Sequence, residues 1–76
     1  MELDENRIDG AVLALLQLGR HDRVRVWKGF DWTAMNRLHA KGWISDPVGN
    51  AKSVVLTDEG LREGARLLAL LFGKAD

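Results

Sequence analysis

The side chains that offer recognisable chemistry are concentrated in the middle of the chain. Thr33, Asn36, Arg37 and Lys41 recur at helical spacing. A guanidinium matches the O6 and N7 acceptors of guanine, and a carboxamide matches the edge of adenine. Five further cations suit phosphate contacts: Arg20, Arg23, Arg25, Lys28 and Lys52. The pattern predicts a surface for double-stranded DNA, although ordinary solvated helix residues are of the same types.

Catalytic and metal chemistry have little support in the sequence. The chain has no cysteine, and neither His21 nor His39 has an acid or a second histidine four residues away. A metal site is therefore not expected. There is no glycine-rich phosphate loop, and Ser45 and Ser53 have no paired base in sequence. We expect no enzymatic activity and no cofactor.

Length and charge narrow the class of protein further. Seventy-six residues make a single domain over 1–76, with a thin core that oligomerisation would support. The absence of cysteine suggests a cytoplasmic protein, and no apolar run approaches the about 18 residues of a membrane helix. Net charge is zero, but residues 20–52 carry seven bases against three acids. This distribution favours a local basic surface over a wholly basic binder.

The first predicted helix runs from Asp4 to Leu18, with Asp4 as N-cap and Gly19 as a left-handed stop. Leu13 falls outside the apolar arc of this helix, so it is either exposed or in contact with a second chain. The arc that should face the core has six members: Ile8, Ala11, Val12, Leu15, Leu16 and Leu18.

A short edge strand over 23–27 and a second helix are predicted next. Residues 23–27 alternate arginine with apolar residues, which places the arginines opposite the valines. Asp31 caps the second helix and Gly42 ends it. Its predicted core side carries Trp32, Met35, Leu38 and His39. Its predicted outer side carries Thr33, Asn36, Arg37, Ala40 and Lys41. Core packing is the favoured role for the tryptophans, with base stacking as the alternative.

A hairpin and a final helix complete the prediction. Trp43 and Ile44 open a strand that Pro47 closes, and residues 52–56 return beside it, with Ile44, Val54 and Leu56 pointing inward. Thr57 caps the last helix, whose core stripe is Leu61, Ala65, Leu68 and Phe72. Three more leucines make that helix apolar on several sides and predict a homodimer interface: Leu67, Leu70 and Leu71.

The segment 38–60 carries a resemblance. Leu-x-x-Lys-Gly-x-Ile, a turn, and then Val-x-Leu-Thr-x-x-Gly resembles the part of winged-helix regulators, of the multiple-antibiotic-resistance and phenolic-acid-response types, that follows the recognition helix. The resemblance implies a helix in the major groove, a wing on phosphates and a last helix leading into a dimer. The helix that such a domain places near residues 20–30 is not evident. The whole chain is also similar to a small bacterial family of uncharacterised single-domain proteins that share the Trp-Lys-Gly-Phe-Asp-Trp block at 27–32.

The expected fold is therefore α+β and mostly helical, winged-helix-like, with three helices and a small antiparallel β-hairpin wing. The expected function is that of a DNA-binding module, in the manner of a small transcriptional regulator. The alternative is a protein-interaction or homodimerisation module that does not bind DNA. Zero net charge and the missing helix favour the alternative, whereas the basic cluster favours DNA.

Overall fold

Three helices and two short strands form the part of the chain that the computed structural model describes, residues 1–20, 24–27, 29–49 and 52–74, with Trp27 described by its backbone. The order is α1 (Glu5–Leu16), a 3₁₀ turn (Gln17–Gly19), β1 (Arg25–Trp27), α2 (Trp32–Ala40), β2 (Ser53–Val55) and α3 (Asp58–Phe72). This small α+β fold confirms the predicted class and is compatible with a winged-helix-like arrangement. The predicted site residues Arg23 and Lys28 lie outside the described residues.

Local hydrogen-bonding chemistry sets the ends of the helices. Asp4, Asp31 and Thr57 each accept a hydrogen bond from the backbone N–H three residues on, at 3.2, 3.1 and 3.0 Å. All three predicted N-caps are confirmed. Gly42 follows α2 with a φ of 79°, as predicted for a helix stop. The left-handed stop at Gly19 is wrong, because this residue ends a 3₁₀ turn that tightens the end of α1 instead.

The sheet differs from the predicted hairpin. β1 pairs antiparallel with β2, with Val26 opposite Val54. On the other edge of β2 the expected partner strand is reduced to a single bridge between Ile44 and Leu56. Pairing ends there because Pro47, two residues past Ser45, has no N–H to donate. β2 therefore lies between β1 and the Ile44 segment, and the predicted inward positions of Ile44, Val54 and Leu56 are confirmed by their burial.

Helix α1 packs against both other helices, and its predicted core arc is confirmed in part. Val12 and Leu16 are buried and Ile8 packs against the core, as predicted. The prediction is wrong at Leu15 and Leu18, which are exposed, because the buried line runs through Asp9, Leu13 and Leu16, at i, i+4 and i+7. Because Asp9 is charged, the apolar pattern of the sequence does not count its position as part of the core face. The predicted centre of the apolar arc is therefore displaced toward Leu15.

The core face of helix α2 also differs from the predicted one. Met35 and Leu38 are buried as predicted, but Trp32 is 53% exposed and His39 is also exposed. Assignment of Trp32 and His39 to the core is wrong. The helix presents Arg37 to α1, and this orientation carries the two ends of the predicted core side out into solvent.

Helix α3 approaches the rest of the molecule through glycines. A Cβ at Gly60 would overlap the carbonyl oxygen of Trp43, and one at Gly64 would overlap the side-chain nitrogen of Gln17. Glycine permits this close approach because it has no side chain. The predicted core stripe of α3 is confirmed at Leu61, which packs against the core. It is wrong at Ala65 and Phe72, which are exposed, and Leu68 is only half-buried.

Candidate functional site

A buried carboxylate in α1 binds the two cations that the sequence assigned to DNA. The Asp9 side chain is fully buried. Nε of Arg37 lies 2.9 Å from both of its oxygens, and Nη2 of Arg37 lies 2.8 Å from Oδ1. Nζ of Lys41 donates to Oδ2 at 2.9 Å. We call these three residues and their immediate partners the Asp9 cluster.

The partners of the cluster also lie on α1 or beside α2. Nη1 of Arg37 donates to Oε2 of Glu5 at 3.1 Å, and Nζ of Lys41 donates to Oδ1 of Asn6 at 3.0 Å. The same ammonium lies 5.3 Å from the ring centroid of Trp43, within cation–π range. The donors of Arg37 and Lys41 are thus directed at the first half of α1.

Electrostatics keep the cluster charged. Burial by itself raises the pKa of Asp9, because a carboxylate loses hydration in the interior. Hydrogen bonds from Arg37 and Lys41, and the charges of both, oppose and outweigh burial, so the pKa of Asp9 lies below its ordinary value. The hydrogen bond to Asp9 also raises the pKa of Arg37. At neutral pH the cluster therefore contains one buried anion and two cations.

The placement of Arg37 and Lys41 on an outward face of α2 is therefore wrong. Their side chains are 25% and 30% exposed, and both reach across to α1. A nucleic acid would have to compete with a buried, ionised carboxylate for these donors, which is costly because Asp9 would lose its partners. The ion pairs of the cluster therefore join α1 to α2. Contact of Arg37 or Lys41 with DNA stays a prediction.

The other predicted nucleic-acid residues lie on separate elements. Thr33 is exposed and Asn36 half-buried on α2, while Arg25 is exposed on β1 and Lys52 is exposed immediately before β2. Because Arg25 is paired with Val55, the register places Lys52 toward the opposite end of the two-stranded ladder from Arg25.

The residues predicted for a dimer interface are largely accessible. Leu70 is 68% exposed and Leu71 is 48% exposed. Leu67 is half-buried, with a side-chain methyl 3.5 Å from where a Cβ of Gly10 would lie. Phe72, at 51% exposure, extends the same end of α3. The sequence assigned Phe72 to the core, so its accessibility was missed.

The burial of Asp9 at the centre of the cluster was also missed, although a signal for it exists. Asp9 is four residues before Leu13 and seven before Leu16, the spacing of one buried helical face. A lone acid at such a position requires a cationic partner. Arg37 and Lys41, themselves four residues apart, were available to supply it.

The described ranges also bear on metal sites and on membrane-spanning helices. Within them, no three histidine, aspartate or glutamate side chains come together as metal ligands would. None of the helices in this part of the chain combines the length and apolar character needed to cross a membrane.

Comparison with known proteins adds a family. The family model described as "Domain of unknown function (DUF6429)" matches residues 4–74. A protein of Sinorhizobium fredii (strain NBRC 101917 / NGR234), "Uncharacterized protein y4hR", is 57% identical over 72 residues, which cover 95% of this chain and 97% of that protein. No solved structure matches the chain significantly.

Proposed function

The chain belongs to the DUF6429 family, and we propose that it is a homodimerisation module in which a second copy covers the apolar C-terminal half of α3. The observation that carries this proposal is the mismatch between the sequence of α3 and its burial. Of the described residues of this helix, Gly60 and Gly64 are fully buried, whereas Leu70, Leu71 and Phe72 are exposed. Burying a leucine or phenylalanine contributes about 1.5–3 kcal/mol.

Measurement of molar mass against concentration tests the proposal. We expect sedimentation equilibrium at tens of micromolar to give twice the monomer mass of 8.5 kDa. Dilution should return the mass toward that of the monomer with a single association constant. A mass that stays at the monomer value throughout would exclude the homodimer.

A winged-helix-like DNA-binding module is the second candidate. It is supported by two exposed cations: Lys52, immediately before β2, where the resemblance implies a wing, and Arg25 on β1. Binding through phosphates would make log affinity fall linearly with log salt, at about −0.9 per phosphate contact. Fluorescence polarisation with random duplex DNA measures this slope.

Charge-removing variants distinguish specific contact from general attraction. Lys52→Gln should flatten the salt slope by about one unit if Lys52 contacts a phosphate. Lys74→Gln is the matched control, because Lys74 is an exposed lysine after the last helix. Equal slopes for the two variants, or no binding at low salt with about 10 μM duplex, where non-specific complexes normally form, would remove the DNA candidate.

A further inference from the structure

One flank of α3 forms a continuous groove with α1. Two open cavities of about 460 and 620 Å³ lie along the α1–α3 contact, and Phe72 lines both. On the α1 side the groove is lined by Ala11 and by Leu18, which is 70% exposed, and the polar side chains of Arg7, Gln17 and Arg20 border it. On the α3 side it is lined by Ala65, Leu68, Ala69 and Phe72. We call this surface the seam groove.

The α3 side of the seam groove contains two rows with spacing i, i+4. Ala65 and Ala69 form a row of small side chains, and Leu68 and Phe72 form a row of large ones. Rows of this kind are the ridges and grooves through which helices pack. A two-fold interface brings the same surface of both copies together, so a surface with one small and one large row is complementary to itself.

We propose that the seam groove receives helix α3 of a second copy, antiparallel to the first. With the two-fold axis between Leu68 and Ala69, Ala69 faces the partner's Leu68 and Ala65 faces the partner's Phe72. Every large side chain then meets a small one. This inference rests on the proposed homodimer and commits that dimer to one flank of α3.

The position of α1 beside α3 supports the same arrangement. Gly10 of α1 lies against Leu67, and Gln17, seven residues later, lies against Gly64, only three residues earlier on α3, so the two helices cross obliquely. A partner helix in the seam groove would contact both of them. Leu18 is then covered as well, because it lines the same groove.

A cysteine cross-link tests the position of the axis. The chain has no cysteine, so a single introduced thiol can pair only with its counterpart in another copy. Ala69→Cys should give a disulfide-linked dimer under mild oxidation, because residues beside a two-fold axis approach their own counterparts. Ala40→Cys is the control, since Ala40 is an exposed alanine on α2. Equal cross-linking of both variants, or none for Ala69→Cys, would overturn the inference.

Two charge substitutions separate this inference from the dimer itself. Ala69→Glu places a charge in the seam groove, whereas Leu70→Glu places it about 100° further round α3. We expect Ala69→Glu to weaken dimerisation at least about tenfold and Leu70→Glu to weaken it less. Ala69 is exposed in the single copy, so monomer helicity by circular dichroism should be unchanged.

The outcomes are distinct. If the unsubstituted protein is monomeric, the homodimer and the seam groove both fail. If it is dimeric, and Leu70→Glu dissociates it while Ala69→Glu does not, the homodimer stands and the seam groove is wrong.

Discussion

Substitution of the buried carboxylate, Asp9→Asn, should destabilise the protein strongly. An amide keeps the shape of the side chain but removes the charge that holds Arg37 and Lys41. Removal of one partner from a buried ion pair costs about 3–5 kcal/mol. The lower end applies here, because the two cations are 25% and 30% exposed and can turn to water when the carboxylate is lost.

The expected effect is large enough to measure by thermal unfolding. For a domain of this length about 1 kcal/mol corresponds to about 4–8 °C in Tm. A loss of about 3 kcal/mol in the free energy of unfolding therefore lowers Tm by about 12–24 °C. Glu2→Gln is the matched control, because it removes the same charge from an exposed position before α1. Its Tm should change little, because a substitution at an exposed position usually changes the free energy of unfolding by no more than about 0.5 kcal/mol.

The same variant tests the sign of the pH dependence. The pKa of Asp9 in the folded protein lies below the ordinary value of 3.8. Its contribution to stability is therefore fully present above that value and is lost as pH falls through the lower, folded-state pKa. The difference in Tm between the parent and Asp9→Asn should be constant near neutrality and shrink in strong acid. A difference as small as that of Glu2→Gln, or one unaffected by acid, would show that the Asp9 cluster does not stabilise the fold.

Two further comparisons test the packing of α3 and of the aromatic residues. Gly60→Ala should lower the free energy of unfolding by about 1–3 kcal/mol, because the new Cβ would overlap the carbonyl oxygen of Trp43. Gly19→Ala is the control and should have little effect, because its Cβ meets nothing within 4 Å. Similar midpoints of urea unfolding for the two variants would contradict the close approach of α3. Leu13→Ala should lower the free energy of unfolding by about 2–5 kcal/mol, because it truncates a core side chain. Trp32→Ala should lower it clearly less, because Trp32 is 53% exposed. The reverse order would show that the predicted helix faces are buried and the observed ones are not.

Most features decided within a few residues were predicted from the sequence, with the stop at Gly19 as the exception. The caps at Asp4, Asp31 and Thr57 are confirmed because a side-chain oxygen bonds to an N–H three residues away, whatever the rest of the fold does. The stop at Gly42 is confirmed for the same reason, since positive φ is a property of one residue. The inward side of β2 followed from simple alternation.

Features that depend on a distant partner were not predicted. The burial of Asp9 requires Arg37, which is 28 residues away in sequence and reaches it only when α1 and α2 are packed together. Pairing of β1 with β2 likewise joins segments on either side of α2. The sequence pattern predicted an adjacent hairpin because nearby segments close at a lower entropic cost. In this fold the distant strand has the longer ladder.

Four of the errors in the predicted core lie on one surface, and their clustering supports the second copy, although Leu15, Trp32 and His39 are also exposed and do not line that surface. Several residues are assigned to the core by the apolar pattern but are at least partly exposed in the single chain. Leu18 is one of them, on one side of the seam groove. Across the groove they include Ala65, Leu68 and Phe72. The apolar pattern of a helix reflects burial in the assembly that the protein adopts. An apolar stripe that is exposed in the single chain, and that adjoins an exposed apolar surface of the next helix, is therefore expected of a helix whose partner belongs to another copy.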